Sequence, residues 1–168
     1  HRGRVQFLAI LVPSRMHIKE YQDYLAEVMA TVGQVNARFG SSEWEPVRVL
    51  VGDSYPRALA AMQSYDVLLV NAIVDGMNLV AKEGPILNER QGVLILSERT
   101  GARQQLEAGA LVVAPCDVFA TAEALHQALT MAPEARSEWL ARLRWIIERE
   151  DIGAWLCAQL QAIVELGL

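Results

Sequence analysis

The chain has 168 residues, with 15 Lys+Arg against 20 Asp+Glu and a formal net charge of −5. Such a length suits about one domain, and the acidic balance argues against a surface that tracks nucleic-acid phosphates. At 52% hydrophobic and 21% charged residues the chain can bury a core and is not disordered, and its longest apolar runs fall far short of the ~18–20 residues of a membrane span.

The opening His-Arg-Gly-Arg reads as neither a signal peptide nor a transit peptide. It leads directly into the first of five short apolar runs expected to be strands: Val5–Val12, Val47–Val51, Val67–Asn71, Val93–Ser97 and Ala110–Ala114. Each is nearly all apolar rather than alternating, the pattern of strands covered on both faces. After the first run, Leu25, Val28, Met29, Val32, Val35 and Phe39 recur at helical spacing and Gly40 ends the helix. Pro56 suits the first turn of a helix carrying Leu59 and Met62, with Asp53 or Ser54 as cap. Asp117 can cap a helix with Leu125, Ala128 and Leu129, and Pro133 opens another with Trp139, Leu140, Leu143, Ile146 and Ile147. A last helix from about Asp151 carries Trp155, Leu160, Ile163 and Val164, and Trp139, Trp145 and Trp155, each in a helical stripe, read as packing residues. Strands alternating with helices predict an α/β fold, a Rossmann-like doubly wound parallel sheet of about five strands with a helical C-terminal tail. Residues 1–150 form the expected main domain and 151–168 the terminal helix. Cys116 and Cys157 make neither a metal spacing nor a disulfide framework, which points to a reduced, cytoplasmic compartment.

Ligands of such sheets bind beyond the carboxyl ends of the strands, where helices begin. The segment after the third strand, Val74-Asp75-Gly76-Met77-Asn78-Leu79-Val80-Ala81-Lys82-Glu83, is the most unusual in the chain. Gly76 permits close backbone approach or a positive φ. With a helix starting near Asn78, the free amides of Asn78, Leu79 and Val80 can face an anion. Glu83 lies one turn deeper on the face of Leu79, and a carboxylate there suits paired sugar hydroxyls. Phosphate plus sugar is most naturally a nucleotide. The same residues also suit an ordinary strand–helix turn capped by Asp75 or Asn78.

The run Asp75–Glu83, followed by Gly92-Val93-Leu94-Ile95-Leu96-Ser97-Glu98 and Gly101-Ala102, resembles the trehalose-6-phosphate synthase family of retaining glycosyltransferases. Val12-Pro13-Ser14-Arg15, Glu20-Tyr21-Gln22, Asn36-Ala37-Arg38-Phe39-Gly40 and Asp151-Ile152 with Trp155 match it in order. The resemblance implies the C-terminal, donor-binding half of a two-domain GT-B enzyme that moves glucose from a nucleotide sugar, in the family usually UDP-glucose, to glucose 6-phosphate with retention. It implies that Asp75 is the catalytic residue, contacting glucose hydroxyls with the backbone of Gly76, Met77 and Asn78. Leu79 and Val80 then offer amides to the diphosphate, Glu83 holds the ribose, Asp53 or Ser54 lies near the base, and Arg15 meets the acceptor phosphate. No cofactor or metal is expected, nor any nucleic-acid or membrane partner. The partners implied are the two sugar substrates and the N-terminal half of the same enzyme, with self-association through the terminal helix. The first strand of this half, with two cationic diphosphate contacts, is expected upstream of His1, so that Val5–Val12 and Val67–Asn71 each lose a neighbour.

Departures from the family pattern stand beside the matches. Val74 occupies the position where the family usually has Arg, Arg99 the position where an aromatic commonly follows Ser-Glu, and Gly84-Pro85 replaces residues that would keep the donor-site helix regular, so that a kink near Glu83 is expected. Alternatives are a glucosylglycerol-phosphate synthase, a pseudo-glycosyltransferase, or a non-catalytic nucleotide-sugar-binding or regulatory module.

Overall fold

The structure is a computed structural model describing residues 1–167. The expected strands form as β1 (Phe7–Leu11), β2 (Val47–Val51), β3 (Val67–Val70), β4 (Val93–Ser97) and β5 (Ala110–Val113), all parallel. They lie in two sheets rather than one, β1-β2 and β3-β4-β5. Among the described residues, β1 pairs only with β2 and β3 only with β4. The chain correspondingly divides into two compact units, His1–Ala58 and Leu59–Leu168.

In the first unit, β1 and β2 run in register from Phe7↔Val47 to Leu11↔Val51. Helix α1 (Lys19–Phe39) returns the chain between them and ends at Gly40. Asn36 explains part of the Asn-Ala-Arg-Phe-Gly motif: its side chain donates to Val47 O at 2.8 Å and accepts from Val47 N–H at 3.0 Å. A two-way amide clamp of this kind fixes where β2 begins. Covering on both faces, expected for every strand, fails for β1: Phe7 and Leu8 are each 44% exposed. Helix α2 (Tyr55–Ser64) starts with the Ser54 carbonyl accepting from Arg57 and Ala58. Neither the Asp53 nor the Ser54 side chain serves as the cap.

The second unit is a three-layer sandwich. Every residue of β4 is buried, and its side chains alternate between two clusters. Leu94 and Leu96 pack with Ala81, Leu106 and Leu143, from α3 (Val80–Leu87), α4 (Arg103–Leu106) and α6 (Pro133–Arg149). Val93 and Ile95 pack on the other face with Ala124 and Ala128 of α5 (Val118–Thr130). Helices on both faces explain why β4 is apolar throughout. Asp117 caps α5 by accepting from Ala120 N–H at 2.8 Å, and Pro133 occupies the first turn of α6, as local chemistry predicts.

The turn from α3 into β4 is held by Asn88, which is fully buried. Its amide donates to Tyr65 O at 2.8 Å and accepts from Arg90 and Gly92 N–H at 3.0 and 2.7 Å. Arg144 of α6 donates to the carbonyls of Pro85 and Asn88, tying the end of α3 to α6.

Helix α7 (Ile152–Glu165) is capped by Asp151, which accepts from Ala154 N–H at 2.8 Å. It buries none of its side chains. Trp155 is 58% exposed, and so is Trp145, over which Arg149 lies at 4.7 Å from the ring centroid. The reading of these two tryptophans as packing residues is therefore corrected. No helix among the described residues is long and apolar enough to cross a membrane.

Candidate functional site

The loop leaving β3 turns over the carboxyl edge of the second unit's sheet. Its backbone is fixed by the segment that follows β4. Asp75 and Thr100 form an isolated parallel bridge, with Asp75 N–H donating to Arg99 O at 3.2 Å and Gly101 N–H to Asp75 O at 3.1 Å. Ala102 N–H donates to Met77 O at 3.1 Å, extending the contact. The floor beneath is Ser97 and Thr100, both buried. Arg99 N–H donates to the Ser97 hydroxyl at 3.1 Å, and the Thr100 hydroxyl donates to Ser97 O at 3.0 Å. These two had no assigned part in the sequence reading, because polar residues ending a buried strand read only as its terminus.

Glycine is needed at Gly101. A Cβ there would stand 1.9 Å from the Gly76 carbonyl oxygen. At Gly76 a Cβ would meet nothing within 4 Å, and its φ is not positive. Of the two uses open to Gly76, a positive φ is not taken there; that conformation falls on Asn78, at 73°, a residue type that tolerates this region.

Asp75 is half-buried and engaged in its own loop. One carboxylate oxygen accepts from Met77 N–H at 3.3 Å and the other from the Asn78 amide at 3.0 Å. A carboxylate offers about four acceptor sites, so each oxygen retains capacity for a hydroxyl. Asn78 passes the constraint on: its side-chain oxygen accepts from Ala81 N–H at 3.0 Å.

Helix α3 therefore begins at Val80, two residues later than expected, and the Asn78 amide is outside its first turn. The N–H groups of Leu79 and Val80 have no acceptor among the described residues. Both residues are exposed. Glu83 N–H donates to Leu79 O at 2.8 Å, which sets Glu83 one turn along as spacing predicted. Its carboxylate is exposed and makes no hydrogen bond or ion pair among the described residues. Free amides at a helix start, an oriented carboxylate and a second, unpaired carboxylate suit an anion flanked by polyhydroxy groups.

Arg15 and Asp53 belong to the first unit. Arg15 follows β1 with φ 52°, and its guanidinium donates to the Tyr21 hydroxyl at 3.1 Å while lying 5.7 Å from that ring's centroid. Asp53 is an exposed loop residue after Gly52, whose φ is 140°. No group of three or more His, Cys, Asp or Glu that could hold a metal ion occurs among the described residues.

Residues 1–165 match Glycosyltransferase family 20. A UDP-forming alpha,alpha-trehalose-phosphate synthase of Botryotinia fuckeliana is 38% identical over 168 residues, covering 97% of this chain and 32% of that protein. Among solved structures, an E. coli protein described as bound with UDP-2-fluoro glucose superposes with a TM-score of 0.91 at 32% identity, covering 97% of this chain and 37% of its own. A Burkholderia xenovorans alpha,alpha-trehalose-phosphate synthase in complex with glucose-6-phosphate gives 0.90 at 32% identity, covering 96% and 36%. The chain thus spans between 15% and 32% of the length of these curated relatives. Its fold is that of the corresponding part of GT-B trehalose-phosphate synthases, and the chain belongs to glycosyltransferase family 20.

Proposed function

We propose that this chain is the C-terminal, donor-binding part of a trehalose-6-phosphate synthase that transfers glucose from UDP-glucose to glucose 6-phosphate with retention. The observation that carries the proposal is the loop from Asp75 to Glu83. Its Asp75 carboxylate is oriented by Met77 and Asn78, and among the described residues the Leu79 and Val80 amides and the Glu83 carboxylate one turn further on have no partner. Relatives solved with UDP-2-fluoro glucose and with glucose 6-phosphate supply the substrate classes.

In this reading Asp75 and the backbone of Gly76, Met77 and Asn78 hold the glucose hydroxyls. Leu79 and Val80 donate to the diphosphate, Glu83 accepts from the ribose, and Asp53 lies on the side of the base. Arg15 takes the acceptor phosphate. The bond between the anomeric carbon and the diphosphate oxygen breaks as the acceptor hydroxyl bonds to that carbon on the same face. The hydroxyl's proton passes to the departing diphosphate. The protein's tasks are positioning and stabilising the leaving negative charge. An N-terminal half of the same enzyme completes the acceptor side.

Calorimetry of the protein carrying this chain tests the proposal. It should bind UDP and UDP-glucose, and Glu83→Ala should weaken both. Binding without transfer to any sugar phosphate would instead support a nucleotide-sugar sensor. No binding of either ligand would refute the proposal.

A further inference from the structure

The first turn of α1 holds the loop that leaves β1 at two points. Arg15 has φ 52°, a left-handed conformation that residues with a Cβ adopt only where their surroundings fix it. Ile18 N–H donates to Arg15 O at 2.9 Å, and the Gln22 side-chain amide donates to Met16 O at 2.7 Å. The guanidinium is held by the residue beside Gln22. Its Nη1 donates to the Tyr21 hydroxyl at 3.1 Å, and it lies 5.7 Å from the Tyr21 ring centroid, within cation–π range. Tyr21 and Gln22 thus fix, respectively, the side chain of Arg15 and the backbone of the residue after it.

The partner of Arg15 is neutral. Arg90, Arg103, Arg136 and Arg142 pair with carboxylates that offset their charge. Arg15 takes part in no ion pair among the described residues, so a full positive charge stays on an exposed side chain whose direction is set. A guanidinium carries five N–H donors, and Tyr21 takes one of them, at Nη1. The Nε–Nη2 edge, which can meet two anion oxygens at once, has no partner among the described residues. An arginine held in advance also loses less rotamer freedom when it binds.

We propose that Tyr21 is a positioning residue that holds the Arg15 guanidinium ready for the phosphate of the acceptor sugar. The proposal rests on the reading of Arg15 as the acceptor-phosphate contact. Tyr21 acts through Arg15, so its effect belongs on acceptor affinity and not on donor binding.

The test uses the protein carrying this chain, assayed for transfer at varied glucose 6-phosphate, with UDP affinity read by calorimetry. Tyr21→Phe keeps the ring and removes the hydroxyl, whereas Tyr21→Leu removes both. Tyr21→Phe should raise KM for glucose 6-phosphate about three- to tenfold, the scale of one net hydrogen bond, and Tyr21→Leu should raise it further. The change should fall on KM rather than on kcat or UDP affinity. In an Arg15→Ala background both substitutions should lose their effect on KM, because no guanidinium is left to position. A merely structural tyrosine would act equally in the two backgrounds.

Unchanged KM in both Tyr21 variants, where Arg15→Ala does raise it, overturns the proposal and leaves the reading of Arg15 intact. An effect of equal size with and without Arg15 also overturns it. Arg15→Ala without effect on KM overturns the reading of Arg15 and this proposal with it.

Discussion

Replacing Gly101 by Ala tests whether the loop after β3 owes its shape to the segment that follows β4. The added Cβ would stand 1.9 Å from the Gly76 carbonyl oxygen and 2.9 Å from its carbon. Ordinary contact begins near 3.4 Å, so the two segments must part by about 1.5 Å, and backbone cannot rotate aside as a side chain can. The bonds from Gly101 N–H to Asp75 O and from Ala102 N–H to Met77 O, both 3.1 Å, lie across the seam that opens. Overpacking of this kind costs roughly 1–3 kcal/mol. Its larger effect should be on Asp75, because a displacement near 1 Å in a positioned group can cost ~100-fold in rate. Leu79, Val80 and Glu83 belong to the start of α3 and are not displaced directly. Gly101→Ala should therefore keep UDP affinity within a few-fold of wild type while sugar transfer falls ~100-fold. Calorimetry with UDP beside steady-state transfer kinetics reads both quantities, and retained UDP binding shows that the variant has folded. A transfer rate within a few-fold of wild type would refute the close seam as the determinant of Asp75 geometry.

Asp75→Ala should abolish transfer with UDP affinity nearly unchanged, whereas Glu83→Ala should weaken UDP by ~1.5–3 kcal/mol through loss of hydrogen bonds to a charged carboxylate. Equal behaviour of the two toward UDP in calorimetry would remove the division between sugar and ribose roles. Arg15→Ala should raise the concentration of phosphorylated acceptor needed for half-maximal rate and leave donor affinity alone. Tyr65→Phe addresses stability, since the Tyr65 hydroxyl is buried without a hydrogen-bond partner among the described residues. Burial pushes its phenol well above the ordinary value, with Arg144 opposing. Below the unfolded-state value of 10.0 both states keep the proton. Above it the unfolded chain releases the proton first, so Tyr65 contributes a fall in stability as pH rises. The phenylalanine variant should match wild type or exceed it by up to ~1 kcal/mol at neutral pH and lose less stability at alkaline pH in urea titrations.

How legible a feature was in the sequence depended on how far its cause lies along the chain. Asp117 and Asp151 cap helices by accepting from an amide three residues on, so the residue and its consequence share one turn. Glu83 falls on the turn after Leu79 for the same reason. The start of α3 was misplaced because the Asn78 side chain, not its backbone amide, meets the helix, and a left-handed φ there puts it outside the first turn. The pairing of Asp75 with Thr100 spans β4 and cannot be read from spacing. An apolar run shows that a strand wants cover, which β4 receives and β1 does not among the described residues.

The two ends of α3 are built for opposite purposes. At its carboxyl end, buried Asn88 has its amide group satisfied by backbone, and Arg144 donates to Pro85 and Asn88 from a different helix. A fully satisfied buried polar network of this kind rigidifies what it touches, whereas an unsatisfied one destabilises. At the amino end, the Asn78 side chain takes only the Ala81 N–H. The N–H groups of Leu79 and Val80 stay unpaired at an exposed edge, where water or an incoming anion can accept from them. Donors that must meet developing charge on a leaving diphosphate act best when they do not have to reorganise as that charge appears. In the proposed donor site the Asn88–Arg144 anchor supplies that rigidity from the far end of α3, so binding does not have to order the helix first. Asp75 obeys the same logic in its proposed role: Met77 and Asn78 hold its carboxylate in one orientation while leaving acceptor capacity on both oxygens.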